Sequence, residues 1–164
     1  MGRYLGACRG ECEDYSLFIE PETDLLQVEN IDTSQYEPFS LDNPADDWIS
    51  RVKIEDQDGN ALIDNQSGSD TVDGYQDYTD RIITASPGDE LTISITVYND
   101  IFEDNFCGNE DLFWGHDLNN PGTLEEVECI YSNTNEESSW TYTYNWTVPD
   151  QTGNYLMSFW VKWW

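Results

Sequence analysis

The segment Trp140-Thr-Tyr-Thr-Tyr-Asn-Trp-Thr-Val148 alternates large apolar and small polar residues at every second position. Side chains of an extended strand point to opposite faces in turn, so this pattern has one apolar face and one polar face only if it is a β-strand. Leu91, Ile93, Ile95 and Val97, interleaved with Thr92, Ser94 and Thr96, repeat the pattern. Helical periodicity is almost absent. The tail from Tyr155 to Trp164 is apolar at both phases, as expected of a central strand covered on both faces. Shorter strand candidates are Tyr15–Ile19, Leu25–Val28, Trp48–Glu55, Ala61–Asp64 and Arg81–Ala85. Turn formers separate them: Asp58-Gly59, Asp73-Gly74, Ser86-Pro87-Gly88, Pro149-Asp150 and Thr152-Gly153-Asn154. Seven or eight short strands without a helix predict an all-β antiparallel sandwich over residues 48–164. Residues 1–19 add an N-terminal strand. Residues 20–47, with Pro21, Pro38 and Pro44, read as a linker holding one short strand. Gly108–Glu128 reads as a long loop.

Charge narrows the partners. The 164 residues include 34 acidic and 6 basic side chains, a net charge of −28. Such a chain lacks the Lys and Arg that release counterions from a nucleic-acid backbone, so nucleic acid is excluded as a partner. Anionic membrane surfaces are disfavoured for the same reason. No apolar run approaches the ~20 residues of a membrane-spanning helix, so no membrane insertion is expected. The first eight residues hold no apolar stretch of signal-peptide length. With 14% aromatic residues, many of them in alternating patterns, the composition is that of a folded chain.

Cys8, Cys12, Cys107 and Cys129 do not have zinc-site spacing, and His116 is the single histidine. Two disulfides in an oxidising compartment are the better expectation, which places the protein outside the cell or on its surface. Proximity in the chain suggests Cys8–Cys12 across a tight turn and Cys107–Cys129 closing a 21-residue loop. The second bridge contributes roughly 3 kcal/mol in the chain-entropy model. Asn65-Gln-Ser and Asn145-Trp-Thr are glycosylation sequons.

Gly10-Glu-Cys-Glu-Asp-Tyr15, followed by Ser-Leu-Phe-Ile, resembles the closing strand of the GEVED-type domain, with Cys12 where the motif has Val. Trp48-Ile-Ser-Arg-Val-Lys-Ile, Asp73-Gly-Tyr-Gln-Asp-Tyr-Thr79, Pro87-Gly-Asp-Glu-Leu and Val148-Pro-Asp-Gln-Thr-Gly-Asn-Tyr-Leu-Met-Ser-Phe are similar to other parts of that module. The resemblance implies an immunoglobulin-like sandwich of a secreted, multidomain bacterial surface protein, adhesive or structural and without catalysis of its own. In that family the Glu-Asp-Tyr strand comes last; here it comes first. Trp164 read into Met1 rebuilds a family-like ending.

The expected consequence is a sandwich whose edge beside Phe159, Val161 and Trp163 must be covered by Glu11, Glu13, Asp14, Tyr15, Leu17 and Ile19 of the first strand. The 28-residue Glu20–Asp47 segment, at ~3.3 Å per residue, spans up to ~90 Å, so the strand can fold back onto its own chain. Alternatively it completes a neighbour, and copies then assemble head to tail into a filament. The smooth join favours this second arrangement, and a covalent tandem array cut between repeats would leave the same trace.

Candidate sites for ions and chemistry are sparse. Asn99, Asp100, Glu103 and Asp104 form the best calcium-ligand set, on a loop after a strand. Asp56-Gln-Asp-Gly-Asn60 lacks the Gly and Glu positions of an EF-hand, and reads instead as a type I′ hairpin turn on Asp58-Gly59. Asp70, Asp73, Asp77 and Asp80 form a second acidic group, read as a hydrated face. No Gly-x-Ser-x-Gly elbow supports His116 as part of a triad, so no enzymatic activity is expected. The many Trp and Tyr residues leave one alternative: a calcium-assisted, lectin-like module binding surface glycans.

Overall fold

The computed structural model describes residues 9–20, 47–68, 75–99, 110–118, 125–131 and 139–163. The described residues form nine strands and no helix: β1 (Arg9–Ile19), β2 (Asp47–Glu55), β3 (Ala61–Gln66), β4 (Tyr75–Ala85), β5 (Glu90–Asn99), β6 (Glu110–His116), β7 (Glu125–Tyr131), β8 (Ser139–Thr147) and β9 (Gly153–Trp163). A five-stranded sheet runs β4-β1-β9-β6-β7 and a four-stranded sheet runs β3-β2-β5-β8. Their inner faces share one apolar core, so the chain is an all-β sandwich. No described helix is long and apolar enough to cross a membrane.

Alternation explains most of the burial. Leu91, Ile93, Ile95 and Val97 of β5 are buried between the sheets, and β8 opposes them with Trp146, Tyr144, Tyr142 and Trp140. On the outer face the small polar residues form a cross-strand ladder. Strand β2 needs a correction to strict alternation: Ile49, Val52 and Ile54 are all buried, although Ile49 and Val52 are three apart. A register shift between Ile49 and Arg51 against β5 resets the phase, as a β-bulge does. Strand β9 pairs with β1 on one side and β6 on the other, and Leu156, Met157, Ser158, Phe159 and Val161 are all buried.

Three features differ from the sequence expectation. The Gly108–Glu128 region is not a loop throughout, since it contains β6 and the start of β7. Leu112, Trp114 and His116 do alternate, but the pattern is short, and pairing of Trp114 with Phe159 on β9 is what makes it a strand. The β2–β3 turn is centred one residue earlier than a type I′ turn on Asp58-Gly59. The Gly59 N–H donates to the Asp56 carbonyl at 3.0 Å, and Gly59 takes φ +80° after the turn proper. Finally, the sandwich is not wholly antiparallel, because β1 and β4 are parallel. The Ser86-Pro87-Gly88-Asp89 turn is as expected, with Gly88 at φ +85° and Asp89 N–H donating to the Ser86 carbonyl.

The N-terminal strand is no appendage. It inserts between β4 and β9 of its own chain, and every residue from Glu11 to Ile19 is buried. The single chain therefore takes the fold-back route. Leu25–Val28 and most of the 20–47 linker lie outside the described residues.

Candidate functional site

Strand β1 carries three carboxylates into the protein interior: Glu11, Glu13 and Asp14 are each 0% exposed. Strand periodicity sends Glu11, Glu13, Tyr15, Leu17 and Ile19 to one face, and the last three join the core between the sheets. Cys12, Asp14, Ser16 and Phe18 point the other way. Burying a carboxylate is expensive unless donors replace its water. The donors come from three other strands, β2, β4 and β9, and from β1 itself.

Glu11 bridges the two sheets. Its Oε2 accepts the Ile49 backbone N–H of β2 at 2.6 Å, and its Oε1 accepts the Gln76 amide of β4 at 2.7 Å. Gln76 also accepts the Tyr78 hydroxyl and donates to the Gly68 carbonyl. Asp14, on the opposite face, accepts the Tyr75 hydroxyl at 2.8 Å, the Ser158 hydroxyl of β9 and the Cys12 thiol at 3.7 Å.

Glu13 is served less well. Its Oε2 accepts the Tyr15 hydroxyl at 2.7 Å, while Oε1 has no hydrogen-bond partner. The nearby Ser67 hydroxyl donates instead to the Ile49 carbonyl at 2.6 Å. Desolvation by burial raises the Glu13 carboxyl to about 7, partly offset by the neighbouring Ser67 and Tyr15 hydroxyls and by the charge of Arg81. Tyr15 in turn accepts the Asn65 amide of β3 at 2.7 Å, and Asn65 accepts the Arg81 guanidinium. Burial, followed by the adjacent Glu13 charge and hydrogen bond, raises the Tyr15 hydroxyl well above the ordinary phenol range.

A bulge puts Arg81 within reach. The β1–β4 register jumps from Tyr15↔Tyr78 to Ser16↔Ile82, so Thr79, Asp80 and Arg81 stand outside the ladder. The Ser16 hydroxyl donates to the displaced Thr79 carbonyl at 2.7 Å. Arg81 then lies over the Tyr78 ring, 5.0 Å from its centroid, and Tyr78 stacks on Tyr15 at 5.5 Å. The result is a polar and aromatic lock around β1, closed to solvent at its three carboxylates.

The residues expected to form the β1–β9 contact do so within the one chain. Glu11 pairs with Val161, Glu13 with Phe159, Asp14 with Ser158, Tyr15 with Met157, Leu17 with Tyr155 and Ile19 with Gly153, while Trp163 pairs with Arg9. Tyr15 also meets the Phe159 ring edge-on at 5.8 Å. Of the glycosylation sequons, Asn65 is 2% exposed and its amide is committed to Tyr15, so folded Asn65 is not an acceptor for a glycan. Asn145 is exposed on β8. The sequon pattern contains no information about burial, which is why the two looked alike.

Of the calcium set, Asp100, Glu103 and Asp104 lie outside the described residues, and Asn99 is the last residue of β5. Among the described residues no group of three or more His, Cys, Asp or Glu is arranged to hold a metal ion. The Asp56 carboxylate serves its own turn, accepting the Asp58 and Asn60 N–H groups and the Asn60 amide. Asp77 and Asp80 are exposed on β4, and Asp77 accepts the Thr79 N–H and hydroxyl; Asp70 and Asp73 lie outside the described residues. Cys8 and Cys107 lie outside them too. Arg9–Glu11, between Cys8 and Cys12, are extended strand and not a tight turn, and Cys129 sits opposite Phe113 on β7.

His116 ends β6, buried against Trp146 at 5.6 Å and edge-on to Trp114 at 6.1 Å. Trp140, Tyr142 and Tyr144 are half-buried against the core. What the sequence reading missed was the carboxylate lock itself. Three acids within four residues of an otherwise apolar-alternating strand were the available signal. Comparison with protein-family models, with curated proteins and with solved structures finds no match, so the GEVED-type resemblance rests on the motifs quoted above.

Proposed function

We propose that this chain is a non-catalytic structural module of an extracellular fibre or adhesin, a sandwich completed by its N-terminal strand. One observation carries the reading. Strand β1 lies between β4 and β9, in the interior of the five-stranded sheet, yet is joined to β2 through the long 20–46 segment. Withdrawing it would split that sheet and leave both flanking strands with unpaired edges. A strand so necessary, and separated from β2 by so many residues, can be supplied by its own chain or by a neighbour. In the isolated molecule it is supplied in cis; the same contact made in trans joins copies head to tail. The buried lock supports a structural role, because its carboxylates are spent on holding β1 in register.

The test is strand replacement. Removing residues 1–19 should give a chain with a sharply lowered melting temperature, and adding a peptide of residues 9–20 should restore it. The full chain, unfolded and refolded at about millimolar concentration, should yield elongated oligomers that refolding at about micromolar concentration does not. A truncated chain as stable as the full one, or a full chain that remains monomeric after concentrated refolding, would defeat the proposal in its structural and its assembling part respectively.

A further inference from the structure

Strand β8 ends the four-stranded sheet: β5 pairs with one side of it, and no described strand pairs with the other. The other three terminal strands are guarded by charge. β3 carries Asp64, β4 carries Asp77, Asp80 and Arg81, and β7 carries Glu125, Glu126 and Glu128. Charged residues on an edge are a usual defence against strand addition. β8 runs for nine residues, Ser-Trp-Thr-Tyr-Thr-Tyr-Asn-Trp-Thr, with no charge, no proline and no glycine. In a chain of net charge −28, it is the terminal strand that a second copy can approach without carboxylates meeting along the strand.

Its sequence is also nearly the same in both directions about Thr143. Tyr142 and Tyr144 flank the centre, then Thr141 and Asn145, then Trp140 and Trp146, then Ser139 and Thr147. Two antiparallel copies related by a two-fold axis at Thr143 would therefore oppose like with like at every position. The β5–β8 ladder within the chain shows how well such opposition works. Ser94 and Thr143 hydroxyls lie 3.1 Å apart, those of Thr96 and Thr141 lie 2.9 Å apart, and the Thr92 hydroxyl donates to Asn145 at 3.2 Å. Self-pairing repeats this chemistry as Thr143 with Thr143 and Thr141 with Asn145. On the inner face it sets Tyr142 against Tyr144 and Trp140 against Trp146, aromatic pairs of the kind that stabilise sheets. Trp140, Tyr142 and Tyr144 are half-buried in the single chain and would gain cover.

We propose that β8 is a homodimerisation edge, pairing antiparallel with β8 of a second copy about Thr143 and fusing two four-stranded sheets into one. The contact is isologous and closes at two chains, unlike the head-to-tail exchange of β1, and does not depend on it. Because each copy is strongly acidic, association strengthens with salt as long-range repulsion is screened.

Sedimentation equilibrium of the full chain from about 1 to 500 µM, at low salt and in about 0.5 M NaCl, tests this. The expected result is a monomer–dimer equilibrium that shifts towards dimer in salt. Thr143→Glu, at an exposed position, should weaken dimerisation at least tenfold while lowering the melting temperature of the monomer only slightly, through loss of the Ser94 contact. Gln66→Glu, on the opposite edge, should leave dimerisation intact. Directly opposed residues of an antiparallel pair have Cα atoms about 4.5–5.5 Å apart, inside the disulfide range. Thr143→Cys should thus give a covalent dimer linked 143 to 143 on mild oxidation, whereas Gln66→Cys should not, and this arm holds even where Thr143→Glu misfolds. A wild-type chain that is monomeric at 500 µM in salt overturns the proposal. So does a dimer indifferent to Thr143→Glu, or one that fails to cross-link through Thr143→Cys.

Discussion

The Tyr15 hydroxyl donates to Glu13 Oε2 at 2.7 Å while accepting the Asn65 amide at the same distance. One phenol thus satisfies a carboxylate of its own strand and an amide of the facing sheet. Strand β1 is held by side-chain bonds across the sandwich as well as by its two backbone ladders.

Glu13 makes stability depend on pH. Its folded carboxyl is raised to about 7 from 4.5, so between these values the folded state holds a proton that the unfolded chain has released. The contribution is fully present below pH 4.5 and is lost as pH rises through 7. The groups acting on it are Ser67 beyond β3, Tyr15 on β1 and Arg81 on β4, and Tyr78 on β4 feels its charge. Glu13→Gln should flatten the wild-type decline and be the more stable protein at pH 8, by up to about 3 kcal/mol. Urea titrations of both proteins at pH 5, 6, 7 and 8 give the comparison; parallel slopes would show that Glu13 does not titrate in this window.

Tyr15→Phe keeps the ring, its stack on Tyr78 and its contact with Phe159, but deletes the hydroxyl. Glu13 Oε2 loses its donor and Asn65 Nδ2 its acceptor. Two buried groups left unsatisfied cost about 1–3 kcal/mol each. We expect a loss of about 3 kcal/mol in urea denaturation and a Glu13 transition moved to higher pH. A loss below about 0.5 kcal/mol would mean the lock is not closed by Tyr15.

Produced in a glycosylating host, the protein should carry a glycan at Asn145 and none at Asn65. Peptide mass mapping after glycosidase treatment in heavy-oxygen water reads both sites at once. The glycan at Asn145 should also abolish any β8-mediated dimer, since it stands on that edge.

Trp114 is fully buried and touches Trp146, Tyr144, Phe159 and His116 at ring-centroid distances of 5.5, 5.5, 6.3 and 6.1 Å. Trp114→Ala should cost about 3–5 kcal/mol, which is a large part of the stability of a domain this size. Trp114→Phe should recover much of it. Equal losses from both would point to the indole ring in particular and not to the volume it fills.

Alternation along β5 and β8, the doubly apolar β9, and the Pro87-Gly88 turn were legible in the sequence, because each is written in the order of neighbouring residues; the phase reset in β2 was not. A strand shows which of its faces is apolar without reference to any other strand. Which strands become its neighbours depends on residues far away in the chain. That is why β6 and β7 were read as part of a loop: short, acid-flanked strands became recognisable only where Trp114 meets Phe159 across the ladder. The same holds for β1. Its motif marked it as a closing strand, but only the tertiary structure decided that it closes its own sandwich, between β4 and β9. Sequence alone assigns Glu11, Glu13 and Asp14 to the strand that covers the sandwich edge, but contains no sign that their carboxylates lie inside. Their burial depends on the Ile49 N–H, Gln76, Asn65, Tyr75 and Ser158, 38 or more residues away from Glu11 in the nearest case. Local pattern determined the strands and their faces; non-local donors, brought together by the fold, decided which charges lie inside.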